Sequence, residues 1–177
     1  MKPHRAIAAI LVAALGIAGA ARAQAQQSPN PLDVVPDKMP FNVPYGAPIP
    51  LARAQALIAA ATAEATRRGW AMNVAVVDSG GNLVAFARMD GAQLASISIA
   101  EHKARTAARY RRPTRVFEDG VQKSGLIYSL TLDDVIASRG GIPLVEDGKL
   151  IGAIGCSGGT GSQDEATCTV AAATINK

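Results

Sequence analysis

The sequence predicts an α+β domain in which an antiparallel sheet, built from two hairpins, is covered by helices. Three observations carry that expectation. Two apolar strand runs are each joined to a second run by a tight turn, Ser79-Gly80-Gly81-Asn82 in one pair and Asp147-Gly148 in the other. Segments with apolar residues at helical spacing precede, separate and follow these pairs. The chain of 177 residues is 49% hydrophobic and only 18% charged, which supports one core and excludes disorder. Its Gly, Cys and Leu/Glu/Lys contents also exclude collagen, a multi-disulfide scaffold and a coiled coil.

Residues 1–23 read as a secretory signal peptide. They combine a basic start (Lys2, Arg5), an uncharged apolar run from Ala6 to Ala21 and an Ala21-Arg22-Ala23 end. The run is shorter than the roughly 20 residues a bilayer-spanning helix needs, so a cleaved signal is expected and a periplasmic or secreted location follows. No later stretch supports stable membrane insertion. Residues 24–50 hold seven prolines and form an extended leader, either a linker or an arm that packs on a partner subunit. The folded domain is expected over 51–177.

Within it, Leu51, Ala54, Leu57, Ile58, Ala61 and Ala65 set a helix that ends near Gly69. Met72 to Val77 is the run of a buried strand, and Leu83 to Arg88 returns beside it. Ala92 to Arg111 forms a second helix, stopped by Pro113, and Thr114 caps a short third helix to about Lys123. Gly125 to Arg139 carries little pattern; Thr131 with Asp133 and Asp134 could start a helical turn. Ile142 to Glu146 and Lys149 to Cys156 make the second hairpin. A Gly-rich loop, Ser157 to Gly161, leads to a last helix from Gln163 to Ile175. That loop lacks the Gly-Lys-Ser/Thr ending of a phosphate cradle, and Ser162 with Glu165 fits a capping box instead.

The formal charge of +4 does not describe the mature chain. Lys2, Arg5 and Arg22 leave with the signal, and 15 basic residues then face 14 acidic ones. The remaining cations concentrate between Lys103 and Arg115. Arg105, Arg109 and Arg112 share one face if the helix runs through them, a stripe suited to carboxylates; a solvated helix end is the competing reading. Few aromatics interleave them, so no nucleic-acid partner is expected. His102 is the one histidine beyond the signal, next to Glu101; it is either a half-exposed helix residue or a ligand. The Cys spacing is not that of a zinc site, and no motif ties Ser, His and Asp into a triad. Cys156 ends a strand and Cys168 lies one turn into the following helix, close enough for a disulfide in an oxidising compartment.

Several ordered motifs carry a family resemblance. Val76-Val77-Asp78-Ser79-Gly80-Gly81-Asn82-Leu83 is followed by Arg88-Met89-Asp90-Gly91-Ala92 and by Ala100-x-x-Lys103-Ala104-x-Thr106-Ala107. Pro113-Thr114, Gly140-Gly141-Ile142-Pro143, Gly152-Ala153-Ile154-Gly155 and Ser157-Gly158-Gly159 with Asp164-Glu165 continue in register. Together they resemble the GlcG/HbpS family of small haem-binding and haem-degrading domains. The resemblance implies a profilin-like arrangement, a homo-oligomer such as an octamer, and haem or another tetrapyrrole as ligand, with roles in sensing, storage or breakdown. Some members coordinate iron through a threonine shortly before the Gly-Gly-x-Pro turn; here the nearest is Thr131. Some carry a Glu-x-x-Glu iron pair, where this chain has Ser98-x-x-Glu101. A valine and an alanine usual in the family are Cys156 and Cys168 here, which strengthens the disulfide.

Two functions follow. In the first, an exported oligomer captures haem or a small anionic ligand, with Arg105, Arg109 or Arg112 on carboxylates and His102, Glu101 or Thr131 near iron. In the second, Asp78, Arg88, Asp90 and His102 form a polar pocket of an enzyme or accessory acting on a small organic acid or carbonyl compound; turn geometry is the competing role for both aspartates.

Overall fold

The computed structural model describes residues 33–39 and 41–176; the expected signal peptide, 1–23, and the start of the leader lie outside the described residues. The chain divides after Val35 into two units, and the elements below belong to the second, Pro36–Lys177. In order they are α1 (Leu51–Arg68), β1 (Asn73–Asp78), β2 (Leu83–Arg88), α2 (Ser96–Arg109) and α3 (Arg115–Ser124). A short 3-10 helix (Ile127–Thr131), β3 (Gly141–Glu146), β4 (Lys149–Ser157) and α4 (Gly161–Ala172) complete it.

The four strands form one antiparallel sheet in the order β2-β1-β4-β3, the two expected hairpins placed side by side. Central β1 is buried on both faces, which explains its unbroken apolar run. Val74, Val76, Ile154 and Cys156 point toward α1 and α4 and share a core with Leu57, Ala61, Cys168 and Ala171. Ala75, Val77 and Ala153 point the other way, under Ala100, Ala104, Ala107 and Ala108 of α2. The result is a helix layer on each side of the sheet.

α1 ends where expected, because Gly69 takes the left-handed conformation (φ 71°) that closes it. The second hairpin turns at Asp147 and Gly148, both at positive φ, the backbone that matches strand twist. Part of the proline-rich leader belongs to the packed unit. Leu150 N donates to Pro44 O, Gly46 N to Leu150 O and Ile49 N to Ile151 O, so residues 44–49 run along β4, and Ile49 is buried in the core.

Four local expectations are corrected. α2 spans Ser96–Arg109 rather than Ala92–Arg111, since Gly91 (φ 76°) leads into turns over 92–95. At its other end Arg111 adopts φ 54°, and the Arg111 and Arg112 amides bond back to Ala108 O and Ala107 O. Arg112 therefore leaves the helix face on which an unbroken helix would put it. Thr114 precedes α3, but its hydroxyl accepts from Gly141 N at 2.9 Å instead of capping. The capping box of α4 is Thr160 with Gln163, not Ser162 with Glu165; Glu165 is engaged by Arg115.

Candidate functional site

α2 positions the site because it sits unusually close to the sheet. A Cβ on Gly155 would lie 2.1 Å from Ala100 O, and one on Gly141 2.3 Å from Lys103 O. Only glycine permits that approach, and the alanines at 100, 104, 107 and 108 complete the seat. The opposite side of the helix carries His102, Arg105 and Arg109, whose spacing of three and then four places them on one face.

The two arginines converge on one carboxylate. Arg109 Nη1 pairs with Asp134, Arg105 Nη1 lies 3.7 Å from the other oxygen, and Arg109 Nε donates to Gly80 O at 3.2 Å. Asp134 is held in the left-handed region (φ 59°) by bonds from α2. The Thr106 hydroxyl donates to Asp134 O and accepts from Ile136 N, while the Tyr110 hydroxyl donates to Asp133 O at 2.7 Å. The unpatterned 125–139 segment is thus latched to α2 by side chains. The β1–β2 turn closes the other flank, with Gly81 against Arg105 and Arg109.

His102 and Glu101 are half-buried, and the imidazole makes no hydrogen bond to a described residue. Thr131 is exposed at the end of the 3-10 helix, where its hydroxyl donates to Tyr128 O and closes its own turn. Arg112 stands apart from the pair, its guanidinium 3.2 Å from the Phe41 ring centroid. Among the described residues no three His, Cys, Asp or Glu side chains gather as a metal site.

The second polar pocket is not assembled as one site. The Asp78 carboxylate accepts from the Gly80 and Asn82 amides and from Asn82 Nδ2, turn-forming bonds that help hold its pKa below the ordinary value despite the burial that opposes them. Arg88 and Asp90 line a separate cavity of about 560 Å³ with Trp70 and Met89.

The most buried ion pair among the described residues carries no local sequence pattern. Lys103 Nζ meets Asp164 Oδ2 at 2.7 Å, with side-chain exposures of 1% and 4%. The ammonium also donates to Cys156 O, and Asp164 Oδ1 accepts from the Gly158 and Gly159 amides. Only the motif membership of both residues hinted at it. Beside it the expected Cys156–Cys168 disulfide is present, with Cα atoms 5.7 Å apart.

No described helix is long and apolar enough to cross a membrane. The family model described as haem degrading protein HbpS-like matches residues 49–173. Protein GlcG of Escherichia coli K12 is 42% identical over 104 residues, 59% of this chain and 77% of GlcG. A doubly substituted HbpS of Streptomyces reticuli superposes with a TM-score of 0.67 at 26% identity, covering 81% of this chain and 99% of that one. The crystal structure of a PduOC:haem complex gives 0.66 at 33% identity, covering 73% and 96%. With its motifs in register and its fold shared along the whole matched span, the chain belongs to the HbpS-like family.

Proposed function

We propose that this domain binds haem or a related tetrapyrrole, as an exported homo-oligomer. The observation that carries the reading is the likeness to a domain solved with haem bound. The donor set fits. A haem would ask the protein only for a side chain that can hold its iron and for partners to its carboxylates. That suits a chain with one unengaged, half-buried imidazole and no protein-built metal cluster among the described residues. When bound, the haem supplies iron for ligand exchange or redox chemistry. His102 would hold the iron, with Glu101 beside it, and Arg105 and Arg109 would hold carboxylates; the Thr131 hydroxyl closes its own turn and is not assigned to the iron. Asp134 already occupies the guanidinium pair, so an incoming propionate competes with an internal carboxylate.

The basic, apolar, Ala-x-Ala sequence of residues 1–23 supports export. Sensing, storage and breakdown all begin with capture, and capture is what the residues support. Variants test the assignment by hemin titration. H102A should lose the low-spin Soret signature, and R105Q/R109Q should weaken binding. D134N, which frees the arginines, should tighten binding by about two- to fivefold. Unchanged spectra and affinities in all three would remove these residues from the site.

A further inference from the structure

Arg112 has no ionic partner among the described residues, although it is half-buried. Its Nε donates to Tyr110 O at 3.0 Å, and its faces lie against Phe41 and Phe117, at 3.2 and 5.3 Å from the ring centroids. The two Nη groups make no hydrogen bond to a described residue. Burial lowers the guanidinium pKa and the neighbouring Arg111 charge adds to that, against a smaller opposing effect of Tyr128 and Tyr110, so the fold holds a cation at a cost that an anion would relieve.

This cation lines a cavity. The space is about 170 Å³, walled by Tyr110, Val116, Phe117, Tyr128 and Leu132 between α3 and the 3-10 helix. A water occupies about 30 Å³ of liquid, so the cavity holds about six waters' worth of ligand. That is smaller than a drug-sized pocket and far too small to enclose a porphyrin. Its walls are mostly apolar and aromatic, and the Tyr128 hydroxyl has no partner among the described residues.

We propose that this cavity is a binding site for a small aromatic carboxylate. The carboxylate meets the guanidinium edge of Arg112, which matches two oxygens side by side, and the ring packs against Phe117 and the two tyrosines. The site is separate from the His102 face and does not depend on haem binding.

Calorimetric titration of the full chain with sodium benzoate tests it, with benzyl alcohol as the uncharged control. Saturable binding in the millimolar range or tighter is expected for benzoate and none for the alcohol. R112Q should weaken it about tenfold or more, since hydrogen bonds to a charged group are lost. V116W fills the cavity from a half-exposed position and should abolish binding while the circular dichroism spectrum stays native. Should R112Q fail to fold, V116W decides. No saturable benzoate binding by the unsubstituted chain, or undiminished binding by V116W, would overturn the proposal.

Discussion

Removing one partner of the Lys103–Asp164 pair leaves the other buried, and the structure indicates which loss is worse. In K103M, Asp164 keeps the Gly158 and Gly159 amides on Oδ1, so part of its charge stays solvated by the backbone. In D164A the ammonium retains only Cys156 O, and both amides lose their acceptor as well. Breaking a buried pair costs about 3–5 kcal/mol, so K103M belongs near the lower figure and D164A near the upper. Against a typical stability of about 5–15 kcal/mol, D164A brings the domain close to unfolding. Urea denaturation is the assay, and K103M should lower the midpoint by about 1–2 M. In K103M/D164A the two losses should fall short of additivity by about 0.5–3 kcal/mol, since no charge is left buried. The double variant still leaves two amides unpaired, so it does not regain the original stability. Single-variant costs under about 1 kcal/mol, or strict additivity, would refute the reasoning.

Three further outcomes follow from the fold. The disulfide closes a loop of sequence separation 12, so C156V/C168A should lose about 3 kcal/mol; alkylation of two free thiols in the native, unreduced protein would contradict the pairing. G155A drives a methyl into the α2 backbone, which cannot swing aside, and should cost about 3 kcal/mol in the same urea assay, whereas a neutral effect would mean the helix is not seated as described. Glu64 is bonded first by Arg67 and also by Arg68, and its carboxyl is lowered to about 2 from an ordinary 4.5. A depressed carboxyl stabilises above its unfolded value and loses that contribution as pH falls. The stability difference from E64Q should therefore be full above pH 4.5 and disappear on approach to pH 2; a difference independent of pH would exclude the pairing.

What could be read from the sequence was local. Alternation and the turn residues marked both hairpins, and Gly69 marked the end of α1, because each signal lies within a few residues of the structure it makes. Features set by distant contacts were hidden. Ser162 with Glu165 matches the capping-box pattern as well as Thr160 with Gln163 does, and the choice falls with Arg115, fifty residues away, which engages Glu165. Arg112 looked like the third residue of a helical stripe because nothing nearby announces that Arg111 turns left-handed. The Lys103–Asp164 pair joins positions 61 apart that carry no local pattern for meeting. In the candidate site, Arg105 and Arg109 were legible from helix spacing, and His102 as the one histidine beyond the signal. Asp134, which the two arginines share, was not, since it lies in the segment with least periodicity and is placed by Thr106 and Tyr110.

Haem capture by this chain is tested most directly by titrating the purified protein with hemin and passing the mixture over a size-exclusion column. A saturable, shifted Soret band whose absorbance elutes with the protein, at an oligomer's volume, is the expected result. A spectrum that stays that of free hemin, eluting apart from the protein, would contradict the proposal.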